Sequence, residues 1–272
     1  PKHMRPRPNV VVRLCSIECC FSHPLATCDS KVNREFRADV KAWSKVAPRL
    51  WVWDYATDFA HYLLPFPNQR VRGPNVRFYV EHNVKGIFEQ DTYNTPQGEL
   101  SALGGYITAK ALWNPKYDTN RAMAEFLDAY YGPAAAPIRE YLDLLHDRVE
   151  RQNIHVGIYV AVTHAHLSNK LLLQADALWQ KAESLVAAQP ELLNRVRLSR
   201  MSVDYAILER ARLQVQKKLP ASEALISLAK ARLKPFCTTL DASDLSRLNE
   251  SKRLNKEDYR HDLAKALQIT DD

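Results

Sequence analysis

Trp51-Val52-Trp53-Asp54-Tyr55, followed closely by Pro65-Phe66-Pro67-Asn68, is the stretch on which the reading turns. Its rings recur at every second residue. A strand sends alternate side chains to opposite faces, so Trp51, Trp53 and Tyr55 share one face while Val52 and Asp54 share the other. Upstream, Val10 to Ile17 is β-branched and apolar and reads as a buried strand. Downstream, Val84 to Phe88 reads as a third strand, with Gly86 at a point of close approach. Asn33 to Val46 carries Phe36, Val40, Trp43 and Val46 on one helical stripe, with Asn33 as candidate N-cap. Pro74 to His82 reads as a short helix with proline in its first turn, and Gly98 to Leu112 as another. Strands alternating with helices over residues 9–114 predict βαβ units and a parallel sheet. Three strands cannot close a barrel. The expectation is therefore either a small α/β layer or a sheet whose other strands lie upstream.

Beyond Asn114-Pro115 the pattern turns helical. Asp118 caps a segment that stops at Gly132-Pro133, and Pro137 to about Ile154 follows. Long amphipathic stretches cover His166 to Ala188 and Pro190 to Lys218, with shorter ones at Ala221 to Leu233 and Lys256 to Leu267. The reading is α/β plus α, divided at 1–115 and 116–272.

A hydrophobic content of 46% and a charged content of 25% are ordinary for a globular chain. No stretch approaches a membrane span. The net charge of +7 is spread along helices, as in Arg195, Arg197, Arg200, Arg210, Arg212, Lys217 and Lys218. Such runs read as a solvated helix face, so neither nucleic acid nor membrane is expected as a partner. Only 7 glycines is few for a complete barrel and suits a mostly helical chain. The start, Pro1 to Pro8, is basic and proline-rich with no apolar signal core, and it leads at once into Val10-Val11-Val12.

Cys15, Cys19, Cys20 and Cys28 cluster around His23, while Cys237 is distant. Structural zinc favours paired Cys-x2-4-Cys knuckles, and here there is only Cys15-x3-Cys19, an adjacent pair and a lone cysteine. The reading leaves buried thiols, or a disulfide from Cys19 or Cys20 to Cys28, ahead of a metal. No metal or other cofactor is expected.

Flat rings beside carboxylates suit carbohydrate chemistry, since sugar C–H faces stack on rings and glycosidic cleavage uses paired carboxyls. Glu18 and Glu89 lie at the ends of the first and third strands, where parallel α/β folds gather active groups. They are the candidate catalytic pair. Asp54, on the opposite pleat from the rings, reads as a structural ligand of loop amides. Trp53 and Tyr55 are candidate sugar platforms. Gln90, Tyr93, His23 and Asn68 are candidate hydroxyl-binding groups.

These residues carry a resemblance. Trp53-Asp54-Tyr55, Phe59, Pro65-Phe66-Pro67-Asn68, Gly86-Ile87-Phe88-Glu89-Gln90, Gly98-Glu99-Leu100, Leu112-Trp113-Asn114-Pro115 and Tyr130-Tyr131-Gly132-Pro133-Ala134-Ala135 occur in the order of domain-of-unknown-function family 4838. That family is grouped with glycoside hydrolase family 163, and the likeness covers about residues 8–146. It implies the closing part of a (β/α)8 barrel followed by a helical domain, with the opening half of the barrel missing here. It implies a glycan substrate, cleaved with retention by an endo-β-N-acetylglucosaminidase-like activity, and an extracytoplasmic setting for the full-length protein. The alternative is a non-catalytic carbohydrate-binding or structural helical module.

Overall fold

The computed structural model describes residues 5–269, so Pro1 to Met4 of the basic start lie outside the described residues, as do 270–272. β1 (Val12–Cys15), β2 (Leu50–Tyr55) and β3 (Val84–Gln90) form a parallel sheet in the order β1-β2-β3. The register pairs Cys15 with Trp53, Trp53 with Phe88, and Asp54 with Glu89. The crossovers are α1 (Lys31–Trp43) and α2 (Gln69–Glu81). Val40, Phe78 and Tyr79 from these helices pack on Leu50, Val52 and Val84, with Val12, Leu14, Phe36 and Ile87 against them. The other sheet face is open: Trp51 and Phe88 are 43% and 49% exposed.

α3 (Ser101–Trp113) packs on α2 and begins a helical layer. It continues through α4 (Thr119–Tyr131), a 3-10 turn at Gly132–Ala134, α5 (Ala135–Gln152), α6 (Asn169–Leu185), α7 (Pro190–Val215), α8 (Glu223–Ala242) and α9 (Lys256–Ala266). The protein is mixed α/β and mostly helical. One large core joins α3 to α9, centred on fully buried Tyr141 and Trp179 in edge contact. A second cluster crosses residue 115, where Val149, Val156 and Ile158 pack with Phe21, Tyr55, Phe59 and Phe66.

Several local expectations are corrected. β1 is shorter than Val10 to Ile17, and it alternates because only Val12 and Leu14 meet helices. Ser30, not Asn33, caps α1 by accepting from the Asn33 N–H. Asn33 is buried and bonds the backbone of Cys20 in both directions, at 2.6 and 3.0 Å. α2 begins five residues before Pro74, which sits inside the helix. α8 runs past Leu233 to Ala242 with Pro235 inside it. Gly86 does mark a close approach, for a Cβ there would lie 2.5 Å from the Trp51 ring.

The basic run on α7 is not a solvated face throughout. α7 is packed between α6 and α8, so part of its charge is internal. Arg200 is 1% exposed and ion-paired with Asp176, with Glu183 at 3.0 Å and with Asp204 at 3.5 Å. Arg232 of α8 completes the node by bonding both Asp204 oxygens, at 2.9 and 2.8 Å. Arg210, also buried, donates to the Val162 carbonyl at 2.6 Å.

A second polar seam joins the sheet layer to the helices. The Arg72 guanidinium donates to the Ala56 carbonyl at 2.9 Å, to Asn68 at 3.3 Å and to Thr108 at 3.2 Å. Gly104 makes room for it, since a Cβ there would lie 2.6 Å from Arg72 Nη2. Gln69 donates to Glu99 at 3.4 Å and accepts from the fully buried His146 at 2.8 Å. Burial pushes the Glu99 carboxyl up to about 8, and Arg72 only partly offsets this.

Two predictions follow from these buried charges. Arg200→Leu strips Asp176 of its cation and leaves Asp204 with Arg232 alone, and should destabilise the fold by about 3–5 kcal/mol in chemical denaturation. A loss under about 1 kcal/mol would refute the node as described. Glu99 binds its proton more tightly folded than unfolded. Its contribution is complete below an unfolded value of about 4.3 and is lost as pH rises through about 8. Glu99→Gln should therefore raise the melting temperature at pH 8.5 by at least about 2–4 °C while changing it little at pH 5. Equal effects at both pH values would show that Glu99 does not carry this linkage.

Candidate functional site

β2 ends in three alternating rings because aromatic residues tolerate the extended backbone and fill a pleated surface. On the open face Trp53 lies at the centre. It stacks on Tyr55 with ring centroids 6.2 Å apart and meets the edge of Phe88 at 5.3 Å. The Arg13 guanidinium of β1 sits 4.6 Å from the Trp53 ring. The indole N–H donates to Gln90 Oε1 at 2.7 Å, which fixes the ring plane. Tyr55 is mostly buried by Phe21 and Phe59, so it buttresses Trp53 more than it meets solvent. Tyr93, 61% exposed, follows β3.

Asp54 and Glu89 leave the strands from the opposite pleat. Asp54 is 3% exposed and accepts from Ser16 Oγ, from the Tyr79 hydroxyl at 2.8 Å and from the Tyr55 N–H at 3.0 Å. The sequence reading has it hold loop amides; in the structure it is a buried acceptor from two hydroxyls and from the amide of the next residue in its own strand, because Ser16 and Tyr79 are the donors that reach it. Glu89 lies across the register from it. Lost hydration and then the Asp54 charge push the Glu89 carboxyl up to about 8, against a lowering by Arg72. Burial raises Asp54 too. Asp54 is buried and Glu89 half-buried beside it, and two neighbouring acids resist ionising together, which is the direction of both shifts.

Glu18 does not join that pair. It is exposed on the loop after β1, in a hollow of about 300 Å³ lined by Ser16, Cys19, Val32, Phe36 and Asp39. The charged groups that act on Glu89 are Asp54, Arg72 and Asp91. The structure thus couples Glu89 to Asp54, where the sequence reading paired it with Glu18. Asn68 is 3% exposed, and its amide is spent on Ala56 and Arg72, so it is a framework residue in this structure.

His23 also lies away from the rings. Its Nδ1 is 3.4 Å from Cys20 Sγ. His155 Nδ1, from the segment after α5, is 3.4 Å from Cys20 Sγ and 3.7 Å from Cys28 Sγ. All five cysteines are free thiols, so no Cys19 or Cys20 bridge to Cys28 forms. A hydrogen bond from Cys28 holds the Cys20 thiol down to about 6 against the opposing effect of burial.

Arg13, Phe88 and His155 were not singled out from the sequence. Arg13 and Phe88 carried a signal, since each shares the strand pleat of the rings once register is known. His155 carried none, because 127 residues separate it from Cys28.

No match is found among curated proteins or among solved structures. One family's sequence model spans residues 1–143, which takes in the sheet, its aromatic face, both crossovers and α3 to the middle of α5. The chain therefore belongs to the family described as Domain of unknown function (DUF4838).

Proposed function

We propose that this chain contributes the sugar-binding wall of a glycan-acting glycoside hydrolase. In this reading its sheet is an arc of a (β/α)8 barrel, and residues 116–272 are the helical domain that follows. The observation that carries the reading is the open row of Trp51, Trp53 and Phe88, with Arg13 and Gln90 fixing the central ring. Parallel strands are ordinarily covered on both faces, and a face this aromatic and this open suits pyranose stacking. Tyr93, exposed in the segment after β3, would add a further ring and a hydroxyl.

Catalysis would draw on the carboxyls at the strand ends. Glu89, held protonated to about 8, has the property that a general acid needs. Glu18, exposed at the neighbouring loop, is the candidate partner. An N-acetylglucosamine-containing oligosaccharide is the proposed substrate, cleaved with retention.

One observation favours a second reading. Glu89 and Asp54 face α2, across the sheet from the rings. A carbohydrate-binding module without hydrolysis would need only the aromatic face.

Titration of N-linked oligosaccharides, with calorimetry for binding and chromatography for cleavage, separates the two. Trp53→Ala should weaken binding at least tenfold, about 1.4 kcal/mol. Glu89→Gln should abolish cleavage but spare binding if the enzyme reading holds. Binding without cleavage in the parent chain supports the module. Absence of any binding by the parent chain, or full binding by Trp53→Ala, rejects the aromatic face as a sugar site. Unchanged cleavage in both Glu18→Gln and Glu89→Gln rejects the catalytic assignment.

A further inference from the structure

We propose that Cys20, His23, Cys28 and His155 form a zinc site that pins the loop after β1 to the segment after α5. Their ligand atoms all lie within 4.8 Å of one another. A tetrahedral zinc with two sulfur and two nitrogen ligands sets the edges of its ligand tetrahedron at about 3.3–3.8 Å, from Zn–S of about 2.3 Å and Zn–N of about 2.0–2.1 Å. Three of the six edges fall in that range, with Cys20 Sγ to His23 Nδ1 at 3.4 Å, Cys20 Sγ to His155 Nδ1 at 3.4 Å and Cys28 Sγ to His155 Nδ1 at 3.7 Å, and the other three lie within 4.8 Å.

The donor set selects the ion. Two thiolates and two imidazoles in a tetrahedron suit zinc over calcium or magnesium, which take oxygen ligands. With four protein ligands the coordination sphere is closed, which marks a structural site with no open position for substrate. The surroundings fit as well. Both cysteines are buried, and the two histidines are half-exposed on the solvent side. His155 Nε2 lies 3.2 Å from Asp29 Oδ1. That carboxylate holds the ring so that Nδ1 turns inward, as the outer-shell partners of zinc histidines do.

The backbone delivers these groups before any ion arrives. Asn33 clamps the Cys20 peptide unit. Asn153, at φ 49°, ends α5 in the left-handed conformation, and the Ile154 N–H returns to the Val149 carbonyl. That turn brings His155 back toward the sheet. Ser22 Oγ then donates to the Ile154 carbonyl at 2.8 Å and accepts from the Val156 N–H at 3.2 Å. The Phe21 N–H reaches the Val156 carbonyl at 2.8 Å. The zinc would hold the loop that carries Glu18, and it is independent of whether the aromatic face binds sugar.

The test is the metal content of the chain, purified without chelator or histidine tag from zinc-supplemented medium and measured by plasma mass spectrometry. About one zinc per chain is expected. Cobalt exchanged into the site should give the visible bands of a tetrahedral ion and a thiolate charge-transfer band. Cys28→Ser and His155→Ala should lower zinc affinity at least tenfold, and Cys15→Ser, outside the cluster, should keep full occupancy. Chelation should lower the melting temperature of the parent chain and leave that of His155→Ala unmoved. The metal content and cobalt spectrum of the parent chain decide the matter even if a variant fails to fold. A folded parent chain that takes up neither ion overturns the proposal. So does a Cys20–Cys28 disulfide found by peptide mass, or full zinc occupancy in the Cys20→Ser, His155→Ala double variant.

Discussion

Period-two alternation along β2 is the constraint from which the rest of the site follows. Leu50, Val52 and Asp54 must face α1 and α2 if Trp51, Trp53 and Tyr55 face away. The apolar members of the inward set need nothing further. Asp54 needs partners, and Ser16, Tyr79 and its neighbour's amide supply them. Parallel register then sets Glu89 opposite Asp54, so a second acid enters the same water-poor layer. The chain cannot move Glu89 to the ring side without a one-residue slip, and that slip would expose Ile87 and bury Phe88. Proton-holding carboxyls and stacking rings are thus separated by the thickness of one sheet.

The helical layer is organised around charge in a similar way. α7 has neighbours on several sides, so its basic residues cannot all reach water. Arg200 is enclosed by acids from α6 and from the next turn of its own helix. Arg72 sits in the sheet layer, and its donors go mainly to a carbonyl, an amide and a hydroxyl. At the Arg200 node two guanidiniums serve three carboxylates, and burial still raises Asp204 against both of them. Where Arg72 is spent on neutral groups, Glu89 and Glu99 are pushed up to about 8. Neutral acids in a dry seam need fewer partners than carboxylates, which suits Glu99, whose Oε1 has no hydrogen-bond partner among the described residues.

Much of the architecture was legible because it rests on local pattern. The alternation in Trp51 to Tyr55, the stripe of Phe36, Val40 and Trp43, the Asp118 cap and the stop at Gly132 are local signals, and the elements stand where they point. The misplacements have tertiary causes. Asn33 looks like a cap, but a buried Cys20 peptide unit competes for its side chain, and Ser30 caps instead. Pro74 looks like a helix start, but α2 has a turn before it that depends on Asn68 and Arg72 being held by Ala56. The basic run on α7 looks solvated until the acids of α6 are brought beside it. For the site, the rings and Gln90 were legible, whereas the coupling of Glu89 to Asp54 required the register of β3 against β2. His23 was read as a cleft donor because its partners in space, above all His155, are remote in sequence. A search for paired cysteines also passes over Cys20-x2-His23, in which an imidazole stands where the second thiol of a knuckle would be.

The loop between β1 and α1 shows why that remote contact matters. It has no regular structure, yet Cys19, Cys20, Phe21, Leu25 and Cys28 are all buried. A buried irregular loop must find partners for every peptide group without a ladder or helix to supply them. Some partners are local turns, such as Ser16 for the Cys19 N–H and Pro24 for the Cys28 N–H, but others come from outside the loop: Asn33 for Cys20, Arg37 for the Leu25 and Cys28 carbonyls, and residues 154–156 for Phe21 and Ser22. Each of these contacts is polar and directional, so together they fix the loop's path without giving it much apolar area. The two sulfurs and two imidazoles turn toward one another inside this frame, their ligand atoms all within 4.8 Å. A cation bonded to all four turns the same geometry into the strongest tie between the sheet and the turn after α5.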